Sequence, residues 1–214
     1  PHDPVAAAAF PKSPGPAGAF RLCAMLFPGA GTLPMDDRNI FLVGMMGAGK
    51  TTVGKALARR LGRQFIDCDR EIVERTGVPI ATIFEIEGEE GFRRRESQVL
   101  AELATRRGTV VATGGGAVLA EENRRSMRAS GTVVYLRVSL DHLHERTRRD
   151  TARPLLATGD RRATLESLLE KRHPLYQDAA DLVVDSGAQS PGTLAQRVID
   201  ALNRENASPG EKAP

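Results

Sequence analysis

The chain has 214 residues, a formal net charge of +3 and two cysteines. Two cysteines do not make a disulfide framework, and no apolar run approaches the ~20 residues of a membrane-spanning helix, so a soluble protein in a reducing, cytoplasmic setting is expected. The mild basic excess comes without an aromatic-interleaved basic strand or a recognition-helix pattern, which excludes neither class outright but points to small anionic ligands, with no nucleic acid and no membrane as partner.

Residues 1–36 hold seven of the thirteen prolines and eight alanines, with no sustained apolar periodicity. That composition reads as a disordered N-terminal extension. A charged region ahead of an apolar core is missing, so a secretory signal fits poorly, and the basic residues are too few for an organelle transit peptide. Met25 and Met35 are alternative starts within it. One domain of ordinary size is expected over 37–204, with 205–214 as a flexible tail.

The domain opens on its most informative stretch. Asn39-Ile40-Phe41-Leu42-Val43 is a strand-length apolar run, Gly44-x4-Gly49-Lys50-Thr51 follows, and Val53 to Leu61 has helical periodicity. Glycines let backbone amides converge on phosphate oxygens, and the helix N-terminus adds partial positive charge at the same place. Gly47, Ala48, Gly49, Lys50, Thr51 and Thr52 form the cradle, Lys50 reaching the outer phosphates and the Thr51 hydroxyl placed to ligate Mg²⁺. The bland alternative, a glycine-rich turn joining strand to helix, does not call for the lysine and the hydroxyl in that order. A nucleoside triphosphate with magnesium is expected.

Gly62 reads as a helix C-cap, and Gln64 to Asp69 as a short strand ending in acid. Alternation along a strand would turn Asp67 and Asp69 the same way, at the carboxyl end where open parallel sheets gather ligands. One carboxylate could then support Mg²⁺ and the other take a proton from a substrate hydroxyl. The competing reading is a helix-capping turn with Asp69 as N-cap.

Two helical patterns follow, from Ile80 and from Gly88, making a helical insertion over about 69–104 beside the site. Arg93, Arg94 and Arg95 lie about 100° apart on a helix, so they cannot all serve one ligand. One of them is expected to turn inward, against the alternative of a solvated basic face. Thr109 to Thr113 is a third strand, and Gly114-Gly115-Gly116 after it can press bare backbone against a ligand. That strand lacks a terminal aspartate, which leaves the carboxylate duty to Asp67.

Thr132 to Val138 is a fourth strand, and His142 and His144 on the next helix are splayed too far apart for a metal pair. Residues 148–161, rich in arginine with Pro154 and Gly159, form a loop that could fold over the nucleotide, deliver a guanidinium and exclude water. A further helix stops near His173-Pro174-Leu175-Tyr176, Asp181 to Asp185 is the fifth strand, and Ser190-Pro191-Gly192 opens the last helix. Five strands alternating with helices imply an α/β fold, a parallel sheet covered on both faces.

Taken together, Gly-Met-Met-Gly-Ala-Gly-Lys-Thr at 44–51, Asp-Cys-Asp at 67–69, Gly-Glu-Glu-Gly-Phe-Arg-Arg at 88–94, Gly-Gly-Gly at 114–116, Arg-Pro-Leu-Leu at 153–156 and Arg-His-Pro-Leu-Tyr at 172–176 resemble the shikimate kinase family over about 39–202. The resemblance implies a nucleoside monophosphate kinase-like sheet of order 2-3-1-4-5 and transfer of the MgATP γ-phosphoryl group to the 3-hydroxyl of shikimate. It implies Asp69 on the shikimate hydroxyls and as base, Asp67 supporting the magnesium through water, Arg93 and Arg172 on the shikimate carboxylate, and Gly115 on the ring hydroxyls. On the nucleotide side it implies Arg153 in the lid, Arg146, and Gln189 near the adenine. ATP and shikimate would be the partners of a monomer. The remaining readings are another small-molecule kinase, for gluconate or a nucleoside monophosphate, and a non-catalytic nucleotide-binding module.

Overall fold

Five short strands alternate with helices: β1 (Asn39–Val43), β2 (Gln64–Asp67), β3 (Thr109–Ala112), β4 (Gly131–Arg137) and β5 (Leu182–Asp185). The computed structural model describes residues 37–148 and 160–207, so the expected N-terminal extension, most of the expected lid and the last seven residues lie outside the described residues. The strands pair in parallel in the order β2-β3-β1-β4-β5, as the resemblance implied. Central β1 sets Ile40 against Val110 of β3 and Thr132 of β4. Every residue of β1 and β3 is buried, which is why both read as unbroken apolar runs rather than alternating ones.

Helices cover both faces. They are α1 (Lys50–Leu61), α2 (Cys68–Thr76), α3 (Ile80–Ala104), α4 (Glu121–Ser130), α5 (Leu140–Thr147), α6 (Arg161–Ala179) and α7 (Pro191–Ala207). Helix α1 packs on α7, and α3 on α2 and α4. Phe41, Leu42, Leu57, Leu100, Leu103 and Leu136 are fully buried between them. Buried Asn39 ties the start of β1 to the start of β3: its amide nitrogen donates to the Arg106 carbonyl at 2.6 Å, and its side-chain oxygen accepts from Thr109 N–H at 3.1 Å.

Three boundaries differ from the sequence expectation by more than one residue, each for a local reason. Strand β2 stops at Asp67, because that side chain accepts from the amides of Asp69 and Arg70 and caps α2. Asp69 therefore sits in the first helical turn, and Asp67, not Asp69, is the cap. Helix α6 runs through Pro174 to Ala179 instead of stopping near 173–176. Proline removes one helical amide bond there, yet Arg172, Tyr176 and Ala179 are buried on either side and hold the next turn in place. Helix α7 reaches Ala207, three residues into the stretch read as tail. Within α3, Gly88 (φ 69°, ψ −177°) interrupts the helix, so the two expected helical segments are present end to end.

Among the described residues no helix is long and apolar enough to cross a membrane. His142 and His144 share no metal-binding group there, and the His142 ring nitrogen Nδ1 instead pairs with the Ser139 hydroxyl at 2.8 Å.

Candidate active site

The carboxyl ends of β1, β2 and β3 open on one cavity of about 440 Å³. Gly44 turns the chain out of β1 with φ 141°, and a Cβ there would stand 2.7 Å from the Leu136 carbonyl of β4, so only glycine fits. Gly49 enters α1 in the left-handed conformation, and no side chain caps the first turn. The first amides of α1 are thus left for an anion. Lys50 Nζ donates to the carbonyls of Gly44 at 2.8 Å and Met45 at 3.0 Å, which holds its ammonium over the loop.

The Thr51 hydroxyl donates to Asp67 Oδ2 at 2.7 Å, while Asp67 Oδ1 accepts from the amides of Asp69 at 3.1 Å and Arg70 at 3.4 Å. One carboxylate thereby ties the start of α1 to the start of α2. A hydroxyl oxygen and an anionic oxygen side by side are the hard donor set that Mg²⁺ takes, with water completing its shell. The residues fit the ion.

A second cluster is built around Gly114-Gly115-Gly116, whose missing side chains are the space that other groups use. A Cβ on Gly114 would collide with Glu96 Oε1 and stand 3.1 Å from Asp69 Oδ1. On Gly116 it would collide with the Arg93 guanidinium, and on Gly115 it would lie 3.8 Å from an Arg172 guanidinium nitrogen. Asp69, Arg93 and Arg172, distant in sequence, therefore converge on three consecutive glycines.

Of the arginine triplet, Arg93 is the one turned inward: its side chain is 20% exposed, against 65% for Arg94 and 41% for Arg95. Arg94 pairs with Glu90 and Arg95 with Glu87 on the outer face. Burial works against the Arg93 charge, and the carboxylates of Glu96 at 2.7 Å and Glu89 at 3.0 Å more than offset it, raising its pKa. Arg172 is 3% exposed and donates to the Gly115 carbonyl at 3.3 Å.

Arg146 donates to the Gly47 carbonyl at 3.2 Å and to the Gly187 carbonyl, spanning the glycine-rich loop and the β5–α7 connection. Gln189 accepts from Gly187 N–H at 3.0 Å and lines the same cavity. Gly47, Ala48, Gly49, Lys50, Thr51, Thr52, Asp67, Asp69, Gly115, Arg146 and Gln189 all border it. Arg153 lies outside the described residues.

Two groups at the site were missed by sequence reasoning. Glu96, 1% exposed, is the buried partner of Arg93, and its signal was the i,i+3 spacing in Arg93-Arg94-Arg95-Glu96. Tyr176 donates from its hydroxyl to the Gly115 carbonyl, and nothing local distinguished it from a core aromatic. Cys68, between the two aspartates, is buried, and burial together with Asp69 and Glu96 pushes its thiol up, so it is no nucleophile.

The chain matches the family model described as shikimate kinase over residues 46–203. It is 60% identical over 166 residues to a shikimate kinase of Bordetella avium, covering 78% of this chain and 79% of that protein. It is 58% identical over 164 residues to a shikimate kinase of Nitrosospira multiformis, covering 77% and 84%. A solved shikimate kinase from Acinetobacter baumannii in complex with shikimate superposes with a TM-score of 0.77 at 45% identity, covering 78% of this chain and 94% of that one.

Proposed function

The chain belongs to the shikimate kinase family, and from that premise we propose the reading of its site that follows. The protein is a transferase that moves the γ-phosphoryl group of ATP to the 3-hydroxyl of shikimate, giving shikimate 3-phosphate and ADP in aromatic amino acid biosynthesis. The monomer and the cytoplasmic setting expected from the sequence belong to the same reading.

Phosphoryl transfer asks a protein mainly for positioning and electrostatic stabilisation. The amides of residues 47–52 and Lys50 hold the triphosphate against the N-terminus of α1, with Arg146 and Gln189 on its outer side and Arg153 arriving from the lid. Thr51, and Asp67 through water, would hold Mg²⁺, which would supply positive charge against the phosphates. Arg93 and Arg172 take the shikimate carboxylate, a planar acid that guanidiniums match with paired hydrogen bonds. Gly115 offers backbone to the ring hydroxyls, and Asp69 orients the 3-hydroxyl and takes its proton.

The observation that carries this reading is that the phosphate loop, Asp69 and Gly115 line one cavity, with Arg93 and Arg172 at the same glycines. The test is ADP release with MgATP and a panel of shikimate, gluconate and nucleoside monophosphates. Turnover with shikimate alone is expected. Turnover with another acceptor would reassign the substrate, and none with any acceptor would leave a nucleotide-binding module.

A further inference from the structure

Behind the acceptor glycines stands a set of buried aromatic groups that the roles above do not use. Tyr176 is fully buried one turn after Arg172 on α6. Its ring stacks on Tyr135 with centroids 5.0 Å apart, and the Tyr135 hydroxyl pairs with His173 Nδ1 at 3.0 Å. The Tyr176 hydroxyl donates to the Gly115 carbonyl, the same oxygen that accepts from Arg172 at 3.3 Å. Burial pushes this phenol above its ordinary range, against the pull of nearby Arg172, so it keeps its proton and remains a donor.

The consequence lies in the geometry of a peptide unit. The Gly115 carbonyl and the Gly116 amide belong to one planar trans peptide, in which C=O and N–H point opposite ways. Three consecutive glycines have more backbone freedom than any other sequence, so such a segment keeps one orientation only if something outside it fixes the plane. Tyr176 reaches it from the side away from Gly116 N–H, and Arg172 is tied to the same oxygen.

We propose that Tyr176 is a positioning residue for the phosphoryl acceptor: its hydroxyl locks the Gly115–Gly116 peptide and, through the shared carbonyl, the Arg172 guanidinium. It sets affinity for the hydroxy acid; its other contact, with the Met45 sulfur of the phosphate loop at 3.7 Å, is to a weak acceptor, so the effect on the nucleotide is the smaller one. The inference rests on the shikimate reading above.

Tyr176→Phe keeps the ring and the stack on Tyr135 and removes only the hydroxyl. The expected result is a shikimate KM raised about tenfold, the effect of one buried hydrogen bond lost, with KM for MgATP within about twofold of wild type. Tyr135→Phe is the control: it breaks the His173 bond at the other side of the stack and is expected to lower Tm while leaving shikimate KM in place. KM does not depend on the fraction of active protein, so partial misfolding does not move it. An unchanged shikimate KM in Tyr176→Phe, or an equal rise in both variants, overturns the inference while wild type stays active. A wild type that releases no ADP with shikimate overturns the functional reading and the inference with it.

Discussion

The guanidinium of Arg93 lies 2.7 Å from the carboxylate of Glu96, a side chain 1% exposed whose other oxygen, Oε1, has no hydrogen-bond partner among the described residues. A buried carboxylate is costly to desolvate, and a facing guanidinium is what makes it tolerable. The pair fixes which member of the arginine triplet looks inward. Glu96→Ala frees Arg93 to swing toward Glu89 and solvent; shikimate KM is expected to rise about tenfold or more, as for a lost charge-assisted bond. Steady-state kinetics with varied shikimate checks it, and a KM at the wild-type value would remove the pair from acceptor binding.

The same carboxylate sets a pH dependence. Burial raises the Glu96 pKa above its ordinary 4.5, against the opposing pull of Arg93. The native fold therefore holds that proton more tightly than the unfolded chain. Its contribution to stability is complete below about pH 4.5 and is lost as pH rises through the native value. Relative to Glu96→Gln, wild type should lose Tm as pH rises from about 4.5. A gap that instead moves in favour of wild type with rising pH would show that the Arg93 pair outweighs desolvation.

Asp69→Asn tests the proposed proton acceptor and keeps the shape. Phosphoryl transfer should fall by about 10² or more, the usual weight of a general base, while MgATP binding by calorimetry stays near wild type. Near-normal turnover would take Asp69 out of the chemistry.

Arg153→Ala tests the role proposed for Arg153. A guanidinium on the transferring phosphoryl group is worth about 10³ or more in kcat, and a loss of that order is expected with little change in shikimate affinity. An unchanged kcat places Arg153 off the reaction path.

Gly116→Ala probes the acceptor wall from the backbone side. The new Cβ would meet the Arg93 guanidinium, so Arg93 must move. Shikimate KM should rise with MgATP KM held, and the same values as wild type would show that Arg93 has room to spare.

What the sequence made legible was whatever repeats a local rule. The β1–Gly44–Lys50 passage is a strand, a turn and a helix start whose residue types are dictated by phosphate geometry, and the sheet order came with the motif set. The β2 boundary was misread because alternation along a strand and capping of a helix both use aspartate, and only the amides of Asp69 and Arg70 decide between them. The end of α6 was misread because Pro174 is a local stop signal, overridden by burial of Arg172 and Tyr176. Tyr176 could not be assigned to the site from the chain alone, since it works through the backbone of a distant glycine; Glu96 stood at i,i+3 from Arg93, but that spacing alone did not decide which arginine of the triplet turns inward.

Asp67 carries one last consequence. With Oδ1 it caps α2 and with Oδ2 it receives the Thr51 hydroxyl. Asparagine would still cap but bring no negative charge to the ion. Glutamate would keep the charge, yet its extra methylene carries the oxygens beyond the first-turn amides, and serine or threonine has a single oxygen for two tasks. Of these side chains only aspartate begins one helix and also presents an anionic oxygen to the hydroxyl at the start of the other.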